Sequence, residues 1–180
     1  FAVMTSGYNS VTNGFLRDSL KMTLDFLEED KIQMVHYPDF FEEGYKHKYD
    51  KDIYHYLDSV ASDNQYQMNR GFCHRLLRCS VRIWQFKNLE ELKAKYNEVI
   101  GVLERSYDGE KNTPDLQRLK GMIREFEEEL VWAYNGVPVK NVHHLHLGFY
   151  QDSGVTKGPN MERDVMPILN QFREIQPNII

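Results

Sequence analysis

The stretch from Leu119 to Ile180 constrains this chain most, because its pattern reads helix, turn, strand, loop, helix, strand. Apolar residues at Leu119, Ile123, Leu130 and Tyr134 keep helical spacing. That helix is expected to run from Pro114 to about Asn135. Gly136 suits the position just past a last turn, and Pro138 prevents continuation. Val142 to Tyr150 follows as a strand and Gln151 to Asn160 as a Gly-containing loop. Asp164 is the expected cap of a final helix, with Pro167 in its first turn and Val165, Ile168, Leu169, Phe172 and Ile175 facing inward. Pro177 ends it, and Asn178-Ile179-Ile180 opens another strand. Phe1 to Met4 is also an apolar strand, with no start Met before it.

Strand–helix alternation at both ends implies an α/β fold, a partial Rossmann-like three-layer arrangement with a few parallel strands. A chain that begins and ends inside apolar strands is expected to be a fragment of a larger α/β protein. The middle, about 18–106, reads as wholly helical and is too long for an ordinary crossover. It is expected to be an inserted helical subdomain, with residues 1–13 and 119–180 forming the α/β part.

Within that middle, Asn13 is the expected cap of a helix carrying Leu16, Leu20, Leu24 and Leu27 to about Glu29. Tyr37 to Tyr49 reads as a loop whose Phe40, Phe41, Tyr45 and Tyr49 need a partner surface, either the rest of the parent protein or another subunit. Asp50 to Ala61 reads as a helix with Ile53, Leu57 and Val60 or Ala61 inward. Ser62 to Gly71 is a polar break, and Phe72 to Phe86 returns to helical spacing. Asn88 and Glu91 have capping-box spacing. Leu89, Leu92, Tyr96, Val99 and Leu103 then mark one helix face to about Tyr107. Thr113 before Pro114 is a start signal, since Pro is tolerated at the first helical position.

Charge narrows the partners. The 22 basic and 27 acidic residues give a net charge of −5, which argues against non-specific nucleic-acid binding. No apolar run approaches the roughly 20 residues of a membrane span. The two cysteines, Cys73 and Cys79, lie too far apart for a Cys-x-x-Cys hook; with His74 between them they read as buried thiols in a reduced, cytoplasmic protein.

Three groups are candidates for chemistry. Thr5, Ser6, Asn9 and Ser10 sit in a polar loop at the carboxyl end of the first strand, where open α/β sheets bind ligands; the loop is either an anion cradle or an ordinary turn. On a strand His144 and His146 share a face and His143 points away. Two such imidazoles bind zinc only with a third ligand from elsewhere, and a hydrogen-bonded role at the strand edge is the simpler reading. Arg124 lies among Glu125, Glu127, Glu128 and Glu129. It is either paired on a solvated acidic face or held for a phosphate or carboxylate. No dinucleotide fingerprint, phosphate loop, catalytic triad or His-Glu-x-x-His motif is present.

Leu119 to Glu127, with Arg124 and Glu127, then Tyr134-Asn-Gly136-Val-Pro138, resembles the helix of the LmbE-like, or PIG-L-type, de-N-acetylases. Val142 to Gly154 is similar to the strand and loop that follow it there, and Asp164 to Ile180 to the next helix and strand. The nearest resemblance is to the version of that domain fused to glucosamine-6-phosphate deaminase (isomerase), whose first strand ends in a Thr-Ser-Gly-Asn run like Thr5-Ser6-Gly7 here. Gly148 stands where that family has Pro, and Tyr8 intervenes before Asn9. The resemblance implies a zinc-dependent amino-sugar hydrolase or deaminase as parent, with the metal motifs outside this chain, an inactive fragment with no metal of its own, and an amino-sugar (phosphate) substrate. It places Thr5, Ser6 and Asn9 near the sugar or its phosphate and Arg124 and Glu127 on the substrate side. Another reading of the helical middle is a non-catalytic module for homo-oligomerisation or partner docking.

Overall fold

A computed structural model describes residues 1–47, 49–148 and 158–177. Strand β1 (Ala2–Val3) is followed by helices α1 (Asn13–Glu28), α2 (Lys51–Ala61), α3 (Gln65–Trp84), α4 (Leu89–Arg105) and α5 (Pro114–Tyr134). Strand β2 (His143–His144) and helix α6 (Met166–Ile175) complete the order. The chain is mostly helical, and β1 and β2 pair in parallel with Ala2 opposite His143 and Val3 opposite His144. Backbone bonds from Leu145 to Val3 and from Leu147 to Met4 extend the pairing past β2. Among the described residues this pair is the whole sheet, so the fuller Rossmann sheet implied by the sequence is not seen there. The end of the expected Val142–Tyr150 strand, most of the Gln151–Asn160 loop and the strand at Asn178–Ile180 lie outside the described residues.

Local chemistry sets the helix starts, and in three places it differs from the sequence expectation. Thr12, not Asn13, caps α1: its hydroxyl accepts the Phe15 N–H at 3.0 Å. Asn13 is instead buried as a bridge, donating to the Tyr107 carbonyl at 2.8 Å and accepting from Lys120 Nζ at 2.7 Å. Asn64 accepts from the Gln67 N–H and starts α3 at Gln65, three residues into the expected polar break. Those first turns bury little, so apolar periodicity cannot reveal them. Asn160, not Asp164, caps the last segment, accepting from the Glu162 and Arg163 N–H groups; Asp164 returns the bond to the Asn160 N–H at 2.8 Å. A wide turn at Met161–Val165 then leads into α6, with Pro167 at its start as expected. Thr12→Ala is expected to cost about 1 kcal/mol, since the Phe15 N–H would lose its partner; urea unfolding measures it.

The expected apolar stripes of α1 and α4 are buried, and Leu16, Leu20, Leu92 and Tyr96 are closed to solvent. Tyr96 keeps its hydroxyl satisfied on Ser80 at 2.7 Å. One continuous core runs from Val11 through α3 and α4 to Ile123 on α5. The aromatic segment before α2 needs no outside surface. Phe40 is fully buried, and Phe41, Tyr45 and Tyr49 pack on the same core. On α2, Ile53 is buried, but Val60 is exposed and Leu57 only half-buried; Asp52 and Ser59 turn inward instead. On α6 the expected inward residues Leu169, Phe172 and Ile175 are exposed, because among the described residues little besides the preceding turn packs against that helix.

Candidate functional site

Strand β1 delivers the chain into a tight loop. Gly7 adopts φ +62°, a left-handed conformation that costs glycine nothing, and its N–H donates to Thr5 Oγ1 at 3.2 Å. Ser10 Oγ closes the loop on the Gly7 carbonyl at 2.8 Å. A short 3-10 turn, Tyr8–Ser10, lies against α5. Gly121 on α5 permits that approach: a β-carbon there would stand 3.4 Å from the Ser6 β-carbon. Ser6 Oγ is buried with no hydrogen-bond partner.

Past β2 the chain takes a left-handed step at His146, φ +48°, which lays its ring against α5. Glu125 and Glu129, one helical turn apart, meet His146 and His144, two residues apart on the strand side. His146 Nε2 stands 3.1 Å from Glu125 Oε1. His144 Nε2 stands 3.4 Å from Glu129 Oε1, without hydrogen-bond geometry. Burial pushes the Glu125 carboxyl upward, but the hydrogen bond and charge of His146, with the charges of His144 and Arg75, outweigh it and hold Glu125 below the usual carboxylate range. The same hydrogen bond raises His146 above an ordinary histidine, against burial and the repulsion of Arg118 and Arg82. The two shifts have one cause: each partner favours the charged form of the other.

That pair opens into a cavity of about 480 Å³ lined by Ser6, Tyr8, Gln117, Arg118, Glu125 and His146, with Arg82 contributed by the end of α3. Arg82 and Arg118 are exposed and make no ion pair among the described residues. Two unpaired guanidinium groups beside a hydrogen-bonded His–Glu pair can hold a phosphate or carboxylate and exchange a proton with what it carries.

Of the candidate residues singled out from sequence, Ser6 and His146 line this cavity. Thr5 is spent on the Gly7 turn, and Asn9 is exposed beyond it. Arg124 pairs with Glu127 on the helix surface, and its alkyl stem lies over Gly7. So the loop and Arg124 are neighbours, but Arg124 and Glu127 are not part of the cavity lining. The carboxylates that the two histidines lacked locally come from α5. Among the described residues no group of three or more His, Cys, Asp or Glu side chains is placed to hold one metal ion, so the two His–Glu pairs do not fit a zinc site.

A signal for the missed carboxylates was present. Glu129 falls where the stripe Leu119, Met122, Phe126 would continue, and a charged residue in an apolar stripe needs a buried partner. Below the cavity it has one. Arg75 Nη2 donates to Glu129 Oε2 at 2.7 Å and Nη1 to the Tyr49 carbonyl at 3.1 Å, with the guanidinium 3.5 Å over the Tyr49 ring. Tyr49 in turn meets Cys79 at 3.3 Å, and burial holds both Cys73 and Cys79 thiols above their usual range.

Comparison with known proteins adds one relative. A Bacteroides thetaiotaomicron protein with the provisional name glucosamine-6-phosphate deaminase-like protein is 37% identical over 97 residues, covering 53% of this chain. The match spans 15% of that relative's own length. No family model and no solved structure matches. The likeness is to a small part of a longer protein. No described helix is long and apolar enough to cross a membrane.

Proposed function

We propose that this chain supplies an amino-sugar-phosphate binding surface to a protein related to glucosamine-6-phosphate deaminase. The observation that carries the reading is the cavity that joins Arg82 and Arg118 to the Glu125–His146 pair, in a chain whose relative bears that name. Arg82 and Arg118 take the phosphate; Glu125 and His146 face the amino-bearing part of the sugar. Of the loop residues, Ser6 lines the wall; Thr5 and Asn9 hold or flank the turn behind it, and the Arg124 stem, paired with Glu127, supports Gly7. The same reading extends to a cytoplasmic parent of LmbE-like, Rossmann-like fold, with zinc supplied by segments beyond this chain. De-N-acetylation of another N-acetylglucosamine compound is the second reaction such a parent can perform, and it differs in releasing acetate rather than ammonia.

Calorimetric titration tests the binding step. Glucosamine 6-phosphate is expected to bind saturably, and glucosamine without phosphate at least about tenfold more weakly. Arg118→Ala is expected to remove that discrimination, because the side chain is exposed and its loss leaves the fold intact. Equal affinity for both sugars, or an unchanged preference in the Arg82→Ala/Arg118→Ala double variant, would refute the assignment.

A further inference from the structure

A second cavity of about 500 Å³ lies among the helices and shares no lining residue with the first. Its walls are the segment around Met34–Gly44, the start of α2 and the Arg70–Arg78 part of α3. Three features mark it as built rather than left over from packing. Arg78, nearly closed to solvent, donates from Nε to Asp52 Oδ2 at 2.8 Å and from Nη1 to the carbonyls of Gly44 and Tyr45 at 3.2 Å. Those bonds peg the aromatic segment to α3 and leave Arg78 Nη2 without a hydrogen bond among the described residues. Asp52 Oδ1 is likewise without one. One donor and one acceptor without a hydrogen bond among the described residues therefore belong to two side chains already joined through Nε and Oδ2, in a site where desolvation makes each interaction count. At the mouth, Lys51 and Arg70 carry positive charge with no ion pair among the described residues; Asp39, facing His47, is the opposing carboxylate. Tyr37, Met34 and Phe40 supply apolar surface, and Tyr37 is largely exposed, so its ring can cover a bound molecule.

We infer that this cavity binds a small phosphorylated polyol: the phosphate meets Lys51 and Arg70, and adjacent hydroxyls bridge Asp52 Oδ1 and Arg78 Nη2. A hydroxyl both donates and accepts, so a vicinal pair can satisfy the two atoms together without the charge repulsion that a bare anion meets next to Asp52. The apolar wall of Met34, Phe40 and Tyr37 takes the C–H face. Neutral His74, held uncharged by burial and by Arg70 and Arg78, adds no competing charge. This inference does not rest on the amino-sugar reading of the first cavity.

Two-dimensional NMR titration of the chain with glycerol 3-phosphate, inorganic phosphate and glycerol tests it. Glycerol 3-phosphate is expected to bind with a dissociation constant of about 1 mM or tighter, and the other two at least about tenfold more weakly. Shifts are expected at Tyr37, Lys51, Asp52 and Arg78. Lys51→Ala, an exposed change, is expected to weaken binding at least about fivefold while leaving the unliganded spectrum otherwise intact. Asp52→Asn keeps an acceptor but alters the pair, and is expected to reduce the preference over inorganic phosphate. Shifts confined to Arg82, Arg118 and His146, equal affinity for phosphate and glycerol phosphate, or no saturable binding would each overturn the assignment.

Discussion

Replacing Glu129 with alanine is expected to lower stability by about 3–5 kcal/mol, a large share of what a domain of this size has to lose. Arg75 is 2% exposed, and its three nitrogens have unequal fates: Nη2 rests on Glu129, Nη1 on the Tyr49 carbonyl, and Nε on nothing. Glu129→Ala leaves a buried guanidinium with one hydrogen bond, a ring face and no carboxylate in contact. His144 would not compensate, because it faces the same carboxylate and gains no partner when that is removed. The matched double variant, Arg75→Met with Glu129→Leu, is expected to fall within about 1 kcal/mol of the parent, since replacing both charges removes the desolvation cost along with the attraction. Urea unfolding of the two singles and the double measures the coupling directly. A Glu129→Ala variant as stable as the parent would mean that water reaches Arg75.

That buried pair also shows where sequence reading stops. The α4 stripe from Leu92 to Leu103, the Thr113-Pro114 start of α5 and the Gly136 stop are local signals, and each is found as expected, Gly136 at φ +83°. Asn88 likewise accepts from the Glu91 N–H at 2.9 Å, although Glu91 returns its bond to Lys87. The site was less legible because its parts converge from distant elements. His144 and His146 were visible as a same-face pair, yet their carboxylates sit on α5, where Glu125 and Glu129 look like two members of a solvated acidic run. Arg82 and Arg118 were unremarked because an unpaired surface arginine has no sequence signature. Phe40, Phe41, Tyr45 and Tyr49 read in the sequence as needing a surface from the parent protein or another subunit, and the chain's own core supplies it. Their cover is α3, and what fixes them is Arg78 reaching back to two carbonyls, a bond that no periodicity encodes.

Asp52 is expected to make stability fall as pH rises from about 4 to about 6. Its carboxyl is buried, and desolvation lifts it to about 6 despite the charges of Arg78 and Arg75. Between its ordinary value of 3.8 and about 6 the unfolded chain has lost this proton while the folded chain retains it. Stability therefore decreases with pH over that window: the contribution is complete below pH 3.8 and is lost as pH passes the folded value of about 6. The difference of about two pH units corresponds to about 3 kcal/mol. Other groups titrate nearby, Glu125 in the opposite sense, since a depressed carboxyl stabilises as pH rises. A subtraction isolates Asp52. Asp52→Asn cannot ionise, so the stability of the parent minus that of the variant is expected to fall by about 2–3 kcal/mol between pH 4 and pH 7. A difference that stays flat, or grows with pH, would show that the attraction of Arg78 outweighs desolvation and that the Asp52–Arg78 pair is a net stabilising bridge at neutral pH.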